Sequence, residues 1–140
     1  MKLRDLVFPF WLDTERDGAS REQIEQFEKE VGIKLPEEFR QALLLCDGGV
    51  SSYSAFQRGD YYVPIPPFFS VEALRRAEQN RDEFGTPERV VVIASGGHEW
   101  LGLDYRQGSV PKVVFQEDEE SPLEMVADSF EVLLEGLMED

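Results

Sequence analysis

A chain of 140 residues fits one domain and is long enough to bury a core of its own. Cys46 is the only cysteine, so no disulfide can close within the chain, and no run approaches the ~18–20 apolar residues of a membrane span. The 29 acidic against 14 basic residues leave a net charge of −15, which excludes phosphate backbones and anionic lipid as natural partners and favours something basic.

Residues 1–19 read as an arm, a short helix or irregular segment, that packs Phe8, Phe10 and Trp11 on a body spanning 20–137. Acid and turn residues interrupt this opening before a signal-like apolar run is complete, and a cytoplasmic address is expected. Ser20 with Gln23 makes a capping box, and Ile24, Phe27 and Val31 mark one face of a helix that Gly32 ends. Pro36 stands in the first turn of a second helix, where Phe39, Leu43 and Cys46 recur on one side, with Ala42 and Leu45 flanking. Asp47-Gly48-Gly49 stops it.

Tyr61-Tyr62-Val63 favours a strand, and Pro64, Pro66 and Pro67 keep it from the middle of a sheet. Ser70 caps a helix that turns Val71, Leu74, Ala77 and Phe84 inward and ends at Gly85-Thr86-Pro87. Val90 to Ala94, the Gly96-Gly97 turn and the return from His98 to Tyr105 predict a hairpin, and Val110 to Gln116 a third strand. A last helix follows, with Val126, Phe130, Leu133, Leu134 and Leu137 as its buried stripe and Glu139 and Asp140 at its end. This order predicts an α+β domain: an antiparallel sheet with helices packed on one side or end.

The run Ile24, Phe27-Glu28, Val31-Gly32-Ile33, Leu35-Pro36, Phe39, Leu43 and Asp47-Gly48-Gly49 resembles the opening signature of the SUKH superfamily. That family includes Smi/Knr regulators of yeast cell-wall synthesis and many bacterial immunity proteins. The resemblance continues through Val91 to Ala94, Leu101 to Tyr105, Val110 to Val113 and Ala127 to Leu134. Many members carry a Gly-Asp pair after the hairpin glycines, where this chain has His98-Glu99-Trp100. The resemblance implies a fold that binds proteins without catalytic apparatus or cofactor and, in bacteria, neutralises a toxin by direct contact.

The residue inventory points the same way. One histidine and one cysteine leave a zinc or iron site to rest on carboxylates, and His98, Glu99 and Asp104 do not share one strand face. Cys46 sits on an apolar stripe, which suits packing better than a nucleophile paired with His98. Glu117-Asp118-Glu119-Glu120 lacks the alternating ligands and central glycine of a calcium loop and reads as a solvated acidic loop. Gly48-Gly49 and Gly96-Gly97 match no phosphate-binding fingerprint. No catalytic residue, metal or cofactor is expected.

No Lys or Arg follows Lys112, while acids accumulate. The expected partner-binding residues are therefore Glu117, Asp118, Glu119, Glu120, Glu124 and Glu131, with Tyr61 and Trp100 as aromatic anchors. Tyr53, Tyr61 and Tyr62 fit the core and a binding face equally well. The expected partner is a protein, a basic toxin domain of the nuclease kind. A housekeeping scaffold of the Smi/Knr type is the alternative, and a small carboxylate enzyme using Glu99 and Asp104 is a third reading.

Overall fold

The structure, a computed structural model, describes residues 17–51, 55–58 and 61–138. Phe8, Phe10, Trp11, Tyr53, Glu139 and Asp140 lie outside the described residues, as do the side chains of Tyr61, Phe84 and Leu137. Helix α1 (Arg21–Val31) starts with the expected capping box: Gln23 N donates to Ser20 Oγ at 3.1 Å, and Ser20 N donates to Gln23 Oε1 at 2.8 Å. Gly32, at φ +80, ends it in the left-handed region. Helix α2 (Glu37–Leu45) begins one residue later than expected, with Pro36 at the cap position. Leu45 is half-exposed, whereas Phe39, Ala42, Leu43 and Cys46 are sealed.

Strands β1 (Ala55–Arg58) and β2 (Tyr61–Pro64) form a hairpin, and β2 is an edge strand, where its proline is tolerated. Helix α3 (Val71–Gln79) is capped by Ser70, whose Oγ accepts from Ala73 N. The short α4 (Arg81–Phe84) ends at Gly85. Strands β3 (Val90–Ser95), β4 (Trp100–Asp104) and β5 (Lys112–Gln116) are the expected antiparallel meander.

The expected long last helix divides into three pieces: strand β6 (Glu124–Ala127), helix α5 (Phe130–Glu135) and strand β7 (Leu137–Met138). Val126 is buried, but from a strand. Ser129 caps α5, and at Gly136 an added Cβ would stand 2.2 Å from the Phe56 ring, so the helix stops where the chain passes β1. The α+β class holds, with two antiparallel sheets in place of one: β2-β1-β7 and β3-β4-β5-β6.

Side-chain alternation gives the larger sheet two buried faces. Val91, Ile93, Leu101, Leu103, Val113 and Phe115 join α1, α2 and α5 in the main core. Phe39 lies at its centre, 5.9 Å from Phe68 and 5.6 Å from Phe130 between ring centroids. The opposite face gathers Val90, Val92, Trp100 and Val114 with Ala77 of α3. Segment 67–69 runs along the outer side of β3, where Phe69 N donates to Ile93 O and Ser95 N to Pro67 O, closing that edge.

Candidate functional site

Ser95 pairs with Trp100 and Trp100 with Gln116, so the β3–β4 turn and the β5–β6 connection leave the sheet at the same end. This topology sets Gly97 and His98 beside residues 117–120. Glu83 of α4 closes another side. Together Glu83, Gly97, His98, Trp100, Gln116 and Glu119 line a cleft of about 210 Å³.

The acidic loop is tied at both ends. Trp100 Nε1 donates to Gln116 Oε1 at 2.9 Å, and Gln116 Nε2 donates to Ser121 O at 3.0 Å. Within the loop, Asp118 Oδ1 accepts from Glu120 N and from the Ser121 hydroxyl, each at 2.9 Å. The Ser121 hydroxyl first, and then the Glu120 amide, hold the Asp118 carboxyl below the usual carboxylate range. Glu117, Glu119 and Glu120 are exposed and make no ion pair among the described residues. Exposed carboxylates held this close together in the sequence repel one another.

Not all the expected residues gather here. Glu124 opens β6 opposite Phe115, just inside the loop. Glu131 does not join them: it lies at the other end of the sheet, in a groove with Lys34, Leu35, Pro36 and Val110. Trp100 is 3% exposed and packs in the smaller core with its ring over Gly102, from where its indole N–H holds the loop through Gln116. Tyr61 lies in the other sheet, on an edge strand, beside the exposed Tyr62. Glu83, Gln116 and Ser121 were not anticipated. Polar residues flanking an acid run are a weak signal of a tied loop, and nothing in the sequence links Glu83 to Glu119.

The sequence model of the SMI1 / KNR4 family (SUKH-1) matches residues 18–136. The chain belongs to this family. None of the curated proteins matches it. The SUKH family includes toxin-immunity proteins, and its domains generally bind protein partners.

In this SUKH-1 chain the signature residues are fasteners. Glu28 is buried and accepts from Leu35 N across the α1–α2 turn. Asp47 Oδ1 accepts from Val71 N at 2.9 Å, joining the end of α2 to the start of α3. Gly48 lies so close to that start that a Cβ would stand 2.5 Å from Ser70 N.

Residues considered for chemistry are occupied elsewhere. Cys46 is fully buried, with its Sγ donating to Gly48 O, whereas His98 is exposed at the hairpin. Asp104 is 5% exposed and takes three hydrogen bonds from Arg106, through N, Nε and Nη2, at 2.8 to 2.9 Å. His98 precedes β4 and Asp104 ends it, so the two stand about 14 Å apart or more by strand rise, too far to share a metal ion. Among the described residues no group of three or more His, Cys, Asp or Glu is placed to hold a metal ion, and no helix is long and apolar enough to cross a membrane.

Proposed function

We propose that this SUKH-1 domain is an immunity protein that neutralises a basic toxin domain, of the nuclease kind, by direct binding and without catalysis. The tied acidic loop carries the reading: Glu117, Glu119 and Glu120 project from a segment fixed by the Trp100–Gln116–Ser121 chain, with Glu83 beside it. Carboxylates held in a row occupy space that a phosphate backbone would take on a cationic surface, and complementary charge speeds encounter. The charge-neutral apolar cleft typical of small-molecule enzymes is not what this end of the sheet offers.

Co-expression with a toxin encoded beside this gene tests the reading. Protection of the cells, with a complex that forms at low salt and weakens as salt rises, is the expected result. Full toxicity despite co-expression, with no complex at low salt, overturns it. A scaffold of the Smi/Knr type remains the alternative, and a growth phenotype on deletion in a strain without the toxin would favour it.

A further inference from the structure

The far end of the larger sheet has the opposite character. Gly32, Ile33, Lys34, Arg89, Tyr105 and Ser109 line a concavity of about 480 Å³, with two cations and no acid among them. In a chain with twice as many acids as bases, that is an unusual wall composition. Its frame is built. The Tyr105 hydroxyl donates to Lys34 O at 2.5 Å, and burial, with the Glu28 carboxylate nearby, raises the phenol's pKa so that it stays a donor. Glu28 itself is turned to Leu35 N and Arg40.

Arg89 supplies the second observation. It has φ +63, and it is the only non-glycine residue with a positive φ among the described residues. Side chains other than glycine are strained there, and such strain collects at functional positions. Its Nε donates to Tyr105 O at 3.2 Å, which points the guanidinium along the concavity. Neither the rest of that guanidinium nor the Lys34 ammonium has another partner among the described residues.

Lys34 and Ser109 also line the adjoining groove, whose floor is the buried Leu35 and Phe130 and whose exposed apolar surface is Val110, 71% exposed, with part of Pro36. Two acids, Glu38 and Glu131, line that second groove, and Glu88 precedes Arg89 in the chain. The cationic concavity, with the exposed Val110 beside it, matches an extended peptide that presents a carboxylate to Lys34 and Arg89 and an apolar side chain to Val110. We propose that Lys34 and Arg89 form a binding site for such an acidic segment of a partner protein, separate from the acidic loop. The net negative charge does not forbid it: the loop lies a strand's length away, about 14 Å, beyond the ~8 Å screening length of physiological salt.

The test is a calorimetric titration of the whole protein with an acetylated Asp-Glu-Leu-Leu peptide, its Asn-Gln-Leu-Leu counterpart, and inorganic phosphate. Saturable binding of the acidic peptide is expected, with the amide peptide and phosphate each at least tenfold weaker. Lys34→Gln and Arg89→Gly should each weaken the acidic peptide at least tenfold, and Arg89→Gly should melt no lower than the parent because glycine relieves the strained φ. No saturation at millimolar peptide overturns the proposal. So does equal affinity for the amide peptide, equal affinity for phosphate, or undiminished binding by a folded Arg89→Gly.

Discussion

Glu28 Oε2 accepts a hydrogen bond of 2.7 Å from Leu35 N, so a buried carboxylate bridges the turn between the first two helices. Arg40 Nε stands 3.6 Å from the same oxygen, within ion-pair but outside hydrogen-bond reach. Replacing Glu28 with alanine leaves a buried amide unpaired and takes away the carboxylate nearest Arg40 Nε, while Glu37 and Glu25 still face the other guanidinium nitrogens. A loss of about 2–3 kcal/mol is expected. Glu28→Gln, whose amide oxygen still accepts from Leu35 N, should lose about 1 kcal/mol. Urea melts of the two variants check the order; equal losses would assign the effect to Arg40 rather than to the turn.

Gly48 combines a φ of +90 with an imagined Cβ only 2.5 Å from the backbone of Ser70. Gly48→Ala is therefore both strained and overpacked, and roughly 3 kcal/mol or more should be lost. Gly97→Ala, at φ +126 but in open space, should lose only about 1–2 kcal/mol. Thermal melts of the pair separate close packing from backbone strain.

These two positions explain what the sequence could and could not convey. Ser20, Gln23, Gly32, Asp47 and Gly48 act through neighbours in the chain or through one fixed joint, so their residue types reveal the fold. Residues 124–127 read as helix because Glu, Met and Ala favour it and Val126 falls a turn before Phe130. Pairing with β5 overrides that preference. The acid run was visible, but which acids share a surface depends on strand topology, which sends Glu131 away and brings Glu83 in. The burial of Trp100 was not legible from the acids beside it: strand parity sets its ring with Val90, Val92 and Val114.

Asp104 ties stability to pH. Hydrogen bonding from the Arg106 side chain holds its carboxyl below the usual aspartate range, against the opposing effect of burial. A folded-state value below the unfolded one, about 3.9, means the stabilisation is present above about pH 4 and is lost as pH falls through the folded value. Asp104→Asn should lower stability at pH 7 by about 1 kcal/mol, a modest figure because the Arg106 side chain is 46% exposed and water screens it. The gap between parent and variant should close in acid. Stability curves from pH 2 to 7 that stay parallel would remove Asp104 from the account.

Trp100→Phe keeps an aromatic ring over Gly102 but removes the donor to Gln116. Global stability should fall by about 1 kcal/mol. The specific signature is local: amides of residues 117–121 should exchange several-fold faster, while those of β3 and β4 keep their protection. Unchanged exchange in the loop would mean that Asp118 and Ser121 alone hold it.

The acidic loop and Glu131 separate two accounts of the negative charge. If net charge alone attracts a basic partner, neutralising any exposed glutamate has the same effect, since each change removes one charge from −15. If the tied loop is the contact, position decides. Glu117→Gln, Glu119→Gln and Glu120→Gln should each weaken the complex roughly two- to fivefold and flatten its salt dependence, mostly through slower association. Glu131→Gln, at the other end of the sheet, should change affinity by less than about twofold. Association rates across a salt series with the purified toxin domain decide the matter, because equal losses at Glu131 and Glu119 leave the loop no role that the bulk charge does not already fill.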